Sequence, residues 1–118
     1  MIGHLDKYVK ICYTYEAMRN EYPKSLIFNN RMINTIIIDQ HYKISHPEIT
    51  DELILSLIDV IGGETFDPES VEGEFEYYKV DPLYYLDKPY RLIFLLCLSD
   101  DYLGVINAFR VKGDSNEK

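Results

Sequence analysis

The stretch that most constrains this chain is "YRLIFLLCL", residues 90–98. Apolar side chains stand there at odd and even positions alike. A strand turns alternate residues to opposite faces, so one exposed on a single face alternates apolar with polar. A strand apolar on both faces belongs in the middle of a sheet, with something packed on each side. The remaining segments must supply its neighbours and its covers.

The neighbours lie next to it in sequence. "EFEYYKV" (74–80) and "YLGVINAFRVK" (102–112) both read as strands, joined to it by "DPLYYLDKP" (81–89) and by the tight "SDD" (99–101). The three make an antiparallel meander. Strict alternation in the last strand puts Leu103, Val105, Phe109 and Val111 on one face, with Asn107 among them. Ile106, Ala108 and Arg110 fall on the other.

The covers are expected to be helices. Over residues 5–22, Leu5, Tyr8, Cys12, Tyr15 and Tyr22 form a helical stripe, joined by Val9, Ile11 and Met18, and Pro23 stops it. Over 47–61, Leu53, Ile54, Leu57, Ile58 and Ile61 make a second stripe, with Asp51, Glu52 and Asp59 outside it. Ser45 and Glu48 have capping-box spacing, Pro47 suits a first turn, and Gly62-Gly63 ends the helix by allowing positive φ. Between the helices, "LIF" (26–28) and "INTIII" (33–38) read as short strands around the turn signal "NNR".

The expected architecture is α+β: an N-terminal helix, short strands, a second helix, then the three-stranded antiparallel meander, with the helices packed mainly on one side. A chain of 118 residues is long enough for one domain with a sizeable core. That domain is expected over 1–112, with 113–118 as a flexible tail. Cys12 and Cys97 each sit among apolar residues and read as reduced, buried thiols. Apolar runs fall far short of the ~20 residues that span a bilayer, and "MIGHLDKYVK" has no apolar signal core. The expectation is a soluble, cytoplasmic protein.

Net charge is −8 and uneven. Residues 1–50 carry six Lys/Arg against five Asp/Glu, and 51–118 carry six against fifteen. Six acids and no base run from Glu64 to Glu76. A field of this sign repels phosphate backbones and attracts basic partners, which counts against general nucleic-acid binding.

The chain has no G-x-G-x-x-G, P-loop, C-x-x-C, H-E-x-x-H or G-x-S-x-G motif. No cofactor is expected. A metal site could be drawn from Asp39, His41 and His46, but H-x4-H turns two side chains about 140° apart on a helix and no second cluster completes the set. No metal is expected either. The two histidines fit proton transfer better. Histidine titrates near neutrality, which suits a metal-independent ribonuclease that moves one proton off a 2′-hydroxyl and another onto a leaving oxygen. Such a site also needs a cation for the phosphorane charge, and Lys43, Arg91 and Arg110 are the candidates. Each of these residues also has an ordinary reading. His46 would be a residue before a helix-starting proline, His41 a solvated residue after a strand, and the arginines partners for abundant acids.

The order of helix, "DQHYKISHPEIT", helix and a closing meander with "KPYRLIFLL" and "YLGVINAFRVK" resembles the barnase/EndoU/colicin/RelE-like small nucleases (BECR), including RelE-type and BrnT-type toxins and their phage-borne relatives. The resemblance covers roughly residues 33–112. It implies RNA cleavage without a metal. It places His41 and His46 at the histidine position, Arg91 as the penultimate-strand cation, and Asn107 and Arg110 as last-strand active residues. The acidic charge and the N-terminal helix depart from that pattern.

Two other readings remain open. One is a non-enzymatic inhibitor or immunity-type protein that binds a basic partner, a nuclease or nucleic-acid-binding effector. Its docking face would comprise Glu69, Glu72, Glu74, Glu76, Tyr77, Tyr78, Tyr84 and Tyr85, since acidic charge steers association and aromatics anchor it. The other is a structural or ligand-binding homodimer in which a partner covers strand 90–98.

Overall fold

The structure is a computed structural model and describes residues 19–112. Six strands form one sheet: β1 (Arg19–Phe28), β2 (Arg31–Asp39), β3 (Ser70–Glu72), β4 (Phe75–Tyr85), β5 (Lys88–Cys97) and β6 (Tyr102–Arg110). Their spatial order is β1-β2-β6-β5-β4-β3. The β2–β6 pair is parallel and every other neighbouring pair is antiparallel. Two helices, α1 (Tyr42–Ser45) and α2 (Asp51–Ile61), lie between β2 and β3 in the chain. The expected helix-rich α+β arrangement built on a three-stranded meander is therefore corrected. The protein is a six-stranded mixed sheet with two short helices.

The correction starts at β1. Residues 19–22, assigned above to the first helix, are strand; residues 5–18 of that helix lie outside the described residues, as does Cys12. Tyr22, Leu26 and Phe28 recur at even positions and turn to the buried side. Pro23 does not stop a helix here. It sits in an edge strand, where its missing N–H costs little. The two short strands expected at 26–28 and 33–38 are the inner ends of a long hairpin. Asn29 (φ +53°) and Asn30 (φ +63°) turn it, and asparagine tolerates that left-handed backbone.

β5 and β6 are the two middle strands. On the helix-bearing face Tyr90, Leu92, Phe94 and Leu96 of β5 are buried with Leu103, Val105 and Ala108 of β6. The opposite face of β5, carrying Arg91, Ile93 and Leu95, is half-buried. Phe28 is the hub of the aromatic core, touching the rings of Phe66, Tyr78 and Phe94. Tyr78 stacks on Phe94 at 5.1 Å and Phe28 meets Phe94 edge-on at 5.3 Å.

Three register shifts decide which side chains face which way. In β1, Lys24 and Ser25 stand against Asn34 alone; Tyr22, Leu26 and Phe28 nonetheless keep to the core side, and in β2 the buried set passes from Ile36 and Ile38 to Ile33. In β4, Asp81 and Pro82 stand together opposite Arg91. In β6, Ile106 is the extra residue between Val105, which pairs with Phe94, and Asn107, which pairs with Ile93. In β4 and β6 the extra residue exchanges the faces of everything beyond it. The buried set of β6 is therefore Leu103, Val105 and Ala108, not the strictly alternating set. Asn107 and Phe109 turn to the face away from α2.

α2 starts later than its sequence suggests. Thr50 is the N-cap, its hydroxyl accepting the Leu53 N–H at 3.0 Å. Ser45 instead ends α1, and His46 is that helix's C-cap, its N–H donating to the Tyr42 carbonyl at 2.9 Å. His46 thus stands at no helix N-terminus. Of the two glycines, only Gly63 takes positive φ (+84°). A cap contributes about 1 kcal/mol, whereas each of Ile54, Leu57, Ile58 and Ile61, buried on the sheet, contributes roughly 1.5–3 kcal/mol. Burial therefore holds α2 in place, and the cap only sets where it begins.

Asp51, in the first turn of α2, fixes the α1 connection. Its carboxylate accepts from Asn20 Nδ2 (2.8 Å) and Tyr22 OH (2.6 Å) on β1, from Gln40 Nε2 (2.9 Å), and from Tyr42 OH on α1 (2.7 Å). Burial opposes its ionisation, but the donors together outweigh burial and hold the carboxyl below its usual value. Burial and the same hydrogen bond push the Tyr42 phenol up.

Candidate active site

The parallel pairing of β2 with β6 sets the geometry. β2 ends at Asp39 and the chain turns into α1 beside the C-terminal end of β6. β5 runs the other way, so its first residues lie at that same end. His41, His46, Arg91, Phe109 and Arg110 therefore gather at one end of the three central strands. They come from segments that are remote in sequence.

Within that group the contacts centre on Phe109. The His46 imidazole stacks on its ring, centroids 4.7 Å apart and planes within 13°. The Arg91 guanidinium carbon lies 5.3 Å from the same centroid. Arg91 and Phe109 are directly paired across β5 and β6, which brings them side by side on the face away from α2. Arg91 Nε also donates to Asp81 Oδ2 at 2.6 Å, because the β4 bulge puts Asp81 opposite it. One histidine, one arginine, one carboxylate and the aromatic ring between them form a polar constellation on rigid strands.

The other expected residues take different places. Arg110 pairs with Tyr90 and is exposed. Following Phe109 directly, it belongs to the opposite face, so it does not converge with Arg91. Asn107 is half-buried on the Arg91 face, and its Oδ1 accepts the Ala108 N–H at 2.9 Å, an interaction that caps the β6 bulge. His41 is exposed at the N-cap of α1, its backbone N–H on Asp39 Oδ1 at 2.9 Å. Lys43 lies over the Tyr42 ring at 5.9 Å.

The acid-and-tyrosine residues do not share one face. Glu76 and Tyr78 are on the helix side of β4, where the Tyr78 hydroxyl donates to Glu76 at 2.7 Å and its ring is 2% exposed. Tyr77 turns to the other side and is half-buried. Glu69 and Glu72 are exposed beside β3, and Glu74 sits in the β3–β4 turn, accepting from the Ser99 hydroxyl. Tyr84 is exposed near the β4–β5 tip, and Tyr85 packs against the core.

Charge is polarised along the strands. Glu64, Asp67, Glu69, Glu72, Glu74, Glu76, Asp100 and Asp101 lie toward the end that holds the β5–β6 turn, with Arg31 beside them. Lys43, Lys88, Arg91, Arg110 and Lys112 lie toward the other, interspersed with Asp39, Glu48, Asp81 and Asp87. From Arg91 to Cys97, which is level with Glu72, β5 covers six residues, about 20 Å. The screening length at physiological salt is about 8 Å, so the acidic end hardly reaches the Arg91 end.

Sequence reasoning missed Phe109 as the shared platform and Asp81 as the partner of Arg91. Both depend on bulges, and neither bulge has a sharp sequence signature beyond "DP" at 81–82. Among the described residues no cluster of His, Cys, Asp and Glu could hold a metal ion, and no helix is long and apolar enough to cross a membrane. Cys97 is a free, buried thiol. No family model matches the chain, and neither a curated protein nor a solved structure matches it.

Proposed function

We propose that the protein is a metal-independent endoribonuclease of the toxin-like kind, with its reaction centred on His46 and Arg91. The reading is supported by the convergence of His46 and Arg91 on Phe109. A histidine and an arginine 45 residues apart in the chain meet there on a strand-built frame. In this reading His46 takes the proton of a ribose 2′-hydroxyl as its oxygen attacks phosphorus. The 5′-oxygen leaves with a proton from His41, the second histidine of the α1 connection. Arg91 balances the charge that builds on the non-bridging oxygens. The products are a 2′,3′-cyclic phosphate and a 5′-hydroxyl. The uneven charge is compatible with this, since Glu72 and Glu74 and the acids of the β5–β6 turn lie about 20 Å from Arg91 along β5.

The test is cleavage of mixed single-stranded RNA by wild type, His46→Ala and Arg91→Ala. Loss of a general acid–base group is expected to slow cleavage by about 10²–10⁴-fold. A DNA strand of the same sequence, lacking the 2′-hydroxyl, should stay intact. If wild type leaves every RNA intact, the reading falls and binding of a basic protein at the acidic end takes its place.

A further inference from the structure

We infer that Asp81 is a positioning residue for Arg91, holding its guanidinium in one orientation toward an incoming phosphate. This deepens the ribonuclease reading and rests on it. Three observations carry it. The β4 bulge places two residues, Asp81 and Pro82, opposite the single residue Arg91, which is what brings the carboxylate across from the guanidinium. The bond is made at Nε (2.6 Å), which leaves the outer Nη edge for bidentate contact with an anion. Phe109, paired with Arg91 from the other side, lies against the guanidinium carbon, so the cation is braced by both neighbouring strands.

Stability alone does not account for the arrangement. The Arg91 side chain is 35% exposed and Asp81 22%, and ion pairs this wet contribute little to folding. Orientation is worth more. A guanidinium is a rigid fork, and one that is already aimed loses less side-chain freedom when it meets phosphate. His46 stacks on the same ring, so fixing Arg91 on Phe109 also fixes the distance between the cation and the proton carrier.

Asp81→Ala and Asp81→Asn distinguish positioning from other roles. The asparagine oxygen still accepts from Nε, whereas alanine offers nothing. Positioning predicts that Asp81→Ala raises KM for RNA about tenfold, the scale of one oriented charge-assisted bond, while Asp81→Asn stays within about twofold of wild type. The thermal midpoint of both variants should stay close to wild type. A lower KM in both variants would mean that the carboxylate merely repels phosphate, and would overturn the inference. So would an unchanged KM in Asp81→Ala. The NMR signal of Arg91 Nε–H, read with inorganic phosphate as the probe, separates this inference from the ribonuclease reading. In wild type and Asp81→Asn it should be sharp, slow to exchange and shifted by phosphate; in Asp81→Ala it should exchange fast. An RNA assay that is silent in wild type while this pattern holds would remove the nuclease and leave the positioned anion site. An Nε signal identical in Asp81→Ala and wild type would remove the positioning whatever the RNA assay shows.

Discussion

Asp51 governs where the α1 connection can lie. Gln40 and Tyr42 flank His41 and both donate to its carboxylate, while Asn20 and Tyr22 reach it from β1. Removing the acceptor leaves four donors to find others, the Tyr42 hydroxyl among them in a 3% exposed side chain. Asp51→Ala is expected to cost about 2–4 kcal/mol in urea unfolding, and Tyr42→Phe about 1 kcal/mol. The pH dependence follows from the lowered carboxyl pKa. The unfolded chain takes up the proton first, so the stabilisation is complete above the ordinary aspartate value of about 4 and is lost as pH falls through the folded value. Acid unfolding of wild type should therefore be steeper below pH 4 than that of Asp51→Ala. Equal stability of the two at pH 7 would show that these bonds are not integral to the fold. In sequence Asp51 is simply an acid outside the apolar stripe of the second helix. The donors that bury it come from 9 to 31 residues away, beyond the reach of local pattern.

At the scale of the elements, the apolar stripe of α2 and the strands β4, β5 and β6 follow local rules that can be read directly. The start of α2 was misplaced because Ser45-x-x-Glu48 and Thr50-x-x-Leu53 are both plausible starts. Burial of Ile49 and Asp51 selects the later one. Pro23 was ambiguous for a similar reason, as it suits a helix end and an edge strand equally. Another local rule is broken at the β4–β5 hairpin, where Leu86 (φ +54°) and Asp87 (φ +68°) form the turn. A leucine in the left-handed region costs about 1–2 kcal/mol, and this one is 75% exposed, with no burial to offset the strain. Leu86→Asn should raise the stability by about 1 kcal/mol, measured by urea unfolding. A drop instead would mean that the leucine makes contacts that outweigh its backbone cost.

For the whole molecule, the insertion of β6 between β2 and β5 matters most. It brings the α1 connection to the same end as the start of β5, and it carries the acids of residues 64–76 to the far end. Neutralising Glu72 and Glu74 together should change KM for RNA less than about twofold at 0.15 M salt, because the level of Glu72 lies six residues along β5 from Arg91, about 20 Å and more than two screening lengths. Arg91→Ala should change it far more. A large effect of the two distant acids would show that RNA runs along the sheet toward the acidic end.

Local sequence is enough for the periodicities: which segments are apolar on one face or both, the α2 stripe, the Asn29-Asn30 turn signal, and the histidines and arginines worth testing. These depend on neighbours one to four residues apart. Tertiary structure alone decided that 19–28 is an edge strand, that β2 lies parallel to β6, and that Phe109 and Asp81 face Arg91. Strand pairing joins residues far apart in the chain, and one extra residue at a bulge reverses every face beyond it. The site at His46, Arg91 and Phe109 is the product of those two effects.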